Sequence, residues 1–331
     1  GDRFRAGGAA QGRCERRTEL GADAGSVSGL KTLYMTAWLP VAAALLAVSF
    51  WAISFVAIKV ALPEMRPETM IWLRQLLGVL TAGMIVWLRG DWEKPERGDW
   101  PRLALAGFVG VVLHQWLQAY GMLTTTATVS AWLSALSPAL MVVMAWLWLR
   151  ERFVPRHALW MLLAGLGAVL VSAGSWPAML RGSFGRRGDL LVLASALAWA
   201  LYAILIKSLV RTRSAGTVTL ATLFLGWLLL LPLFLLRGSW EDLTRISSSG
   251  WTAVLVLGVG STGVASTLYN YALKHMSGTL AAMLLYPEPL LTAALAALFL
   301  RESFTMSMAV GGILIIFGVW RLERSTRRPR T

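Results

Sequence analysis

The chain has 331 residues, 56% of them hydrophobic and only 15% charged, where soluble globular domains carry about a quarter charged residues. A formal net charge of +14 would point to nucleic acid in a soluble protein. Here Arg and Lys fall between long apolar runs and at the ends, so membrane topology and anionic lipid account for them and no nucleic-acid partner is called for. The single cysteine, Cys14, excludes an intramolecular disulfide and a cysteine-based metal cluster.

Residues 1–36 form a polar stretch rich in Gly, Ala and Arg, with no apolar run that could serve as a signal-peptide core. Met35 stands just before the first apolar run, and the expectation is that the native protein begins there, behind a disordered or non-native tail. Apolar runs of membrane-spanning length then recur near 37–60, 69–88, 103–123, 127–149, 157–174, 189–209, 216–236, 251–273, 279–300 and 306–321. Prolines and glycines punctuate the short links, as at Pro63, Pro101, Pro155 and Gly250. The expected fold is an all-α membrane protein with ten transmembrane helices, residues 175–188 acting as linker and 322–331 as a basic tail.

An even number of crossings puts both termini on one side. With the N-terminus cytoplasmic, the inner segments hold 21 Lys/Arg and the outer links hold seven. The positive-inside bias therefore predicts cytoplasmic termini.

The chain also repeats itself. Thr128 to Phe153 carries Pro138 and closes on Leu149-Arg150-Glu151-Arg152-Phe153; Thr279 to Phe304 carries Pro289 and closes on Leu300-Arg301-Glu302-Ser303-Phe304, at a constant offset of 151. Gly107 and Gly258, Tyr120 and Tyr271, and Gly167 and Gly318 share that offset, while Trp51…Lys59 and Trp199…Lys207 match at 148. Two five-helix copies, 37–174 and 189–321, must lie in opposite orientations, because five is odd. Inverted repeats recur in secondary transporters, whose sites lie near the midplane between the repeats.

From Leu39 to Arg321 these paired motifs resemble the drug/metabolite transporter superfamily, in its ten-helix branch of two EamA-type repeats. The resemblance implies a central cavity, alternating access and export or exchange of small metabolites across the bacterial inner membrane. Within the superfamily the chain looks most like bacterial metabolite exporters, amino-acid exporters included.

Glu288 is the sharpest candidate for the chemistry. It lies within an apolar span between Pro287 and Pro289, which withhold two backbone donors, so a bend with free carbonyls is expected. A carboxylate at that depth is costly unless it meets a cavity or partner. There it could hold a substrate ammonium or exchange a proton. The mirror position is Ser137, so the two-fold symmetry is broken at that point. The bland alternative is a glutamate neutralised by a neighbour and kept for packing.

On the third span, His114, Gln115 and Gln118 lie at mid-depth, with His114 and Gln118 on one face; polar solute contact, proton coupling through His114 or interhelical hydrogen bonding would each use them. Ser266, Tyr269 and Asn270 form a corresponding face on the eighth span, which also carries Ser261 and Thr262. Trp51, Trp132, Trp199, Tyr202 and Tyr286 lie within spans, where they could stack on a planar or cationic solute or simply pack. Lys59, Lys207 and Arg74 read as side chains reaching for the interface. The Gly107–Gly110 and Gly258–Gly263 runs lack the Lys-Ser/Thr ending of a nucleotide loop and read as helix-packing surfaces. The Leu-Arg-Glu motifs read as structural anchors.

A secondary transporter of amino acids or related amines is therefore the leading expectation, with no cofactor and a small solute and lipid as partners. A monomer is compatible with the sequence. A polytopic enzyme acting on lipid is the alternative, but His114, His157 and His275 are scattered and no loop acid shares ligand spacing with them. A transporter of organic cations, nucleosides or sugars is the other alternative.

Overall fold

The structure is a computed structural model that describes residues 38–149, 155–182, 185–237, 239–276 and 278–326. The tail with Met35, the first copy's Arg150–Phe153 and the last residues of the basic C-terminus lie outside the described residues. All regular structure among the described residues is helical. The main helices are α1 (Trp38–Ala61), α2 (Pro67–Arg89), α3 (Trp100–Met122), α4a (Ala127–Ser134) and α4b (Ser137–Leu149), and α5 (Pro155–Ala173). The second half repeats the series as α6 (Arg187–Thr212), α7 (Ala215–Leu236), α8 (Ser248–His275), α9a (Gly278–Met283), α9b (Pro287–Leu300) and α10 (Met306–Thr326).

Seven helices among the described residues are long and apolar enough to cross a membrane, and three shorter apolar helices accompany them: His157–Ala173, Pro287–Leu300 and Met306–Leu322. The outer surface is greasy. Leu236, Leu162, Leu298, Ile313 and Trp87 stand mostly exposed, an arrangement suited to hydrocarbon and unsuited to water.

Packing follows the repeat. α5 lies against α10 and α2 against α7, each helix against its own counterpart; α2 also meets α8 as α3 meets α7. The matched glycines explain the closeness. A Cβ on Gly107 would meet the Thr222 carbonyl at 2.8 Å, and one on Gly258 would meet the Arg74 carbonyl at 3.0 Å. Without side chains at these points the paired backbones approach as small-residue interfaces in membranes do.

Helix ends tie the halves together. The Glu302 carboxylate accepts from the backbone N–H groups of Ala127 and Thr128 at 2.8 and 3.0 Å and from the Thr128 hydroxyl at 2.7 Å. Thr126 Oγ1 accepts from Val129 N–H, so the free donors of the first turn of α4a are filled. The second Leu-Arg-Glu motif is thus an anchor, with Arg301 in the left-handed region at φ 55°. Lys59 does not reach outward; its ammonium donates to the carbonyls of Met122 and Thr125 at 2.8 and 2.7 Å and closes the end of α3. Its counterpart Lys207 is exposed. Glu64, in the α1–α2 turn, accepts from Ser247 N–H and from the Ser247 and Ser249 hydroxyls at the start of α8. Those hydrogen bonds, from Ser247 above all, hold its carboxyl below the usual carboxylate range.

Candidate functional site

Two kinds of helix irregularity, each present once per half, shape the centre of the molecule. α3 is π-wound over Phe108–Leu113 and α8 over Val256–Val264, matching segments at the 151 offset. A π-turn widens the helix and leaves carbonyls available, and such turns gather at functional sites. The Ser261 carbonyl, inside the π-turn of α8, accepts from the Trp51 indole N–H at 3.0 Å. The other irregularity is the break that separates α4a from α4b and α9a from α9b, at residues 135–136 and 284–286. The expected bend at Pro287–Pro289 therefore falls just before the prolines, and Pro287 starts the new helix, where its fixed φ suits and its missing N–H costs nothing.

Glu288 follows in the first turn of α9b, close to the positive end of the helix dipole. Among the described residues its carboxylate makes no hydrogen bond or ion pair. Ser137, the mirror residue, opens α4b and turns its hydroxyl back to the Ser134 carbonyl at 2.7 Å.

Between these irregular segments lies a cavity whose empty space, its open mouth included, is about 950 Å³. It is lined by residues of α1, α2, α3, α4, α6, α7, α8 and α9. Of the residues singled out from sequence, it brings together Trp51, His114, Gln115, Gln118, Ser137, Trp199, Tyr202, Ser266, Tyr286 and Glu288. Three stand apart from its wall. Trp132 is almost fully buried with its ring against Gly312. Asn270 is buried and donates to the Thr219 hydroxyl at 2.6 Å. Tyr269 lies behind Trp51, with ring centroids 4.9 Å apart.

The aromatic wall is continuous. Trp51 and Trp199, the matched tryptophans of the two halves, meet edge to face at 5.5 Å, and Trp199 contacts Tyr202 at 5.2 Å and His114 at 5.3 Å. His114 Nδ1 lies 2.9 Å from the Ser195 carbonyl. A carbonyl only accepts, so Nδ1 carries a proton and Nε2 is left as the exchangeable nitrogen.

Arg74, Gln75, Ser54, Ser134, Ser261 and Thr262 complete the polar lining. Sequence reasoning placed Arg74 among the outward-reaching side chains because it lies only five residues into its run. Instead Arg74 is 4% exposed, drawn inward by the close approach of α2 and α8 at Gly78 and Gly258. Gly78 is one turn beyond Arg74 on the same face, and that small residue was the available signal. Among the described residues no group of three or more His, Cys, Asp or Glu side chains could hold a metal.

Comparison with known proteins places this architecture. The chain matches the sequence profile of the EamA-like transporter family twice, over residues 38–173 and 186–322. It is 29% identical to an uncharacterized transporter of Archaeoglobus fulgidus over 82% of this chain and 92% of that protein. It is 24% identical to the uncharacterized transporter YdfC of Bacillus subtilis over 83% and 87%. A probable terminal-alkyne amino-acid exporter of Streptantibioticus cattleyicolor is 26% identical over 86% and 93%. A crystal structure of a protein 19% identical in sequence superposes with a TM-score of 0.62, covering 88% of this chain and 99% of that one, a likeness of fold.

Proposed function

The chain belongs to the EamA-like transporter family of the drug/metabolite transporter superfamily, and we propose that it is a secondary transporter exporting amino acids or related amines across the bacterial inner membrane. Two five-helix copies of odd crossing number stand inverted, with both termini cytoplasmic as the Lys/Arg distribution favours. The paired π-turns and paired helix breaks are the hinges across which alternating access works around a fixed midplane site, an arrangement familiar from inverted-repeat carriers.

The observation that carries the reading is Glu288: a carboxylate in the first turn of a broken helix, without a partner among the described residues, facing a cavity walled by tryptophans and tyrosines. Such a group attracts an ammonium, and the aromatic wall suits the body of an aromatic or alkyl amine. The name of the Streptantibioticus relative points the same way. Glu288 and His114 line one cavity, so proton exchange through them is the coupling route.

The test is counterflow of a labelled aromatic amino acid into liposomes holding the purified protein, with empty liposomes as control. Saturable accumulation that an imposed pH gradient accelerates is the expected result. Absence of protein-dependent accumulation across amino acids and amines would overturn the assignment and direct the search to nucleosides and sugars.

A further inference from the structure

Arg74 is a buried cation. Its Nε donates to the Thr262 hydroxyl at 2.8 Å and its Nη2 to the Ser261 hydroxyl at 3.1 Å, while Nη1 is buried with no hydrogen-bond partner among the described residues. Among the described residues Arg74 forms no ion pair, although Glu288 lines the same cavity. Beside it Gln75 is fully buried, also lines the cavity, and finds no partner among the described residues for its amide nitrogen or its amide oxygen.

Leaving a guanidinium unpaired inside a membrane protein is expensive, and so is leaving a buried amide without partners. An anion in the cavity would accept from the free guanidinium nitrogen and from the Gln75 amide nitrogen and so offset much of that cost. The two hydroxyls fix the guanidinium plane through Nε and Nη2, so Nη1 is held with its orientation set and its donors unused. Guanidinium recognises a carboxylate through paired N–H donors more selectively than an ammonium does. The hydroxyls that orient it come from the π-turn of α8, a helix of the other half.

From this juxtaposition we propose that Arg74, supported by Gln75, is the carboxylate-binding residue of the cavity, opposite in charge to Glu288, so that the site selects solutes carrying both a carboxylate and an ammonium. This deepens the transporter reading and rests on it for the part played by Glu288. The cavity then discriminates an amino acid from the amine or ester that lacks its free carboxylate, and not merely aromatic from aliphatic solutes.

The experiment measures binding to the full chain in nanodiscs for three probes: L-phenylalanine, its methyl ester and N-acetyl-L-phenylalanine. The wild-type protein should bind the amino acid at least about tenfold more tightly than either derivative. R74Q should lower affinity for the amino acid and leave that for the ester unchanged, collapsing the ratio between them, with R74K restoring part of it. E288Q should instead collapse the ratio between the amino acid and its N-acetyl derivative. Equal loss for all three probes in R74Q would make Arg74 a structural residue and overturn the proposal. So would a wild-type protein that binds ester and amino acid alike, or none of the probes. Counterflow in liposomes with the same preparations separates the two readings: binding that discriminates as expected without counterflow would remove the transport assignment and leave the carboxylate site standing.

Discussion

Glu288, His114, Glu302 and Glu64 show how differently one polar side chain can be used. Glu288 gains nothing from the protein around it among the described residues, so its ionised form needs something in the cavity. Replacement by glutamine keeps its shape and removes the charge. E288Q should fold, judged by an unchanged size-exclusion profile, while counterflow of an amino acid falls at least about tenfold, the loss of some 1.4 kcal/mol of recognition; wild-type rates would take Glu288 out of the mechanism. His114 donates through Nδ1 to the Ser195 carbonyl and keeps Nε2 for exchange. H114A should therefore alter the pH dependence of transport, and an unaltered profile would return this histidine to packing. Glu302 is held by three donors at the start of α4a, and E302A should lower stability by about 2 kcal/mol, read as a drop of several degrees in melting temperature with substrate affinity intact. Glu64 supplies a pH term of its own. Its carboxyl titrates lower in the folded protein because of Ser247 and Ser249, so its stabilisation is complete at neutral pH and disappears as acid carries the pH down through that lowered value. E64Q should remove that part of the acid sensitivity in a melting series, and identical pH dependence in variant and wild type would refute it.

The elements were legible to unequal depth. Helix positions followed from apolar runs, and seven of the helices among the described residues have the length and composition to cross hydrocarbon. The internal repeat followed from the 151 offset, at which the π-turns overlap and from which the helix breaks depart by a residue or two. What sequence did not disclose was the winding itself: Gly107 through Gly110 and Gly258 through Gly263 read as packing surfaces, which Gly107 and Gly258 are, and nothing in their composition signals a π-turn. For Arg74 the sequence holds a partial signal in Gly78, but which helix approaches there, and how closely, is a tertiary fact. Trp132, Tyr269 and Asn270 share helical faces or depths with cavity residues, but which side of a helix meets the cavity is set by its neighbours. The Gly258 contact yields a prediction at this scale. G258L would drive a side chain into Leu77 and the Arg74 carbonyl, pushing α2 from α8 and parting Arg74 from Ser261 and Thr262. It should cost about 1–3 kcal/mol, as overpacking does, and reduce amino-acid binding as strongly as R74Q does. Loss of stability with full binding would show that the α2–α8 approach does not organise the guanidinium.

Across the whole molecule, each half grips the other through a charged link placed at the start of its second helix. Arg66, before α2, pairs with Glu241 at 3.1 Å and Asp242 at 3.8 Å in the link between α7 and α8; Asp242 also accepts from Arg66 N–H and the Thr69 hydroxyl. Arg213, before α7, pairs with Glu96 at 2.5 Å and Asp99 at 2.9 Å in the link between α2 and α3, where Glu93 accepts from Ser214 N–H. In the inverted arrangement proposed above, these reciprocal clamps stand on opposite sides of the membrane, the Arg213 clamp inside and the Arg66 clamp outside. They would then hold opposite ends of one cavity. Their ions are partly exposed, so each is worth no more than about 1 kcal/mol, enough to shift a two-state equilibrium a few-fold without unfolding anything. R213A should raise the rate at which a cysteine placed at Ser266, in a Cys14→Ser background, reacts with a membrane-impermeant thiol reagent from the cytoplasmic side. R66A should raise it from the opposite side. Opposed shifts in sided reactivity would establish the clamps as the two latches of an alternating-access cycle. Shifts in the same direction, or none, would mean that the links hold the halves together without choosing between their arrangements.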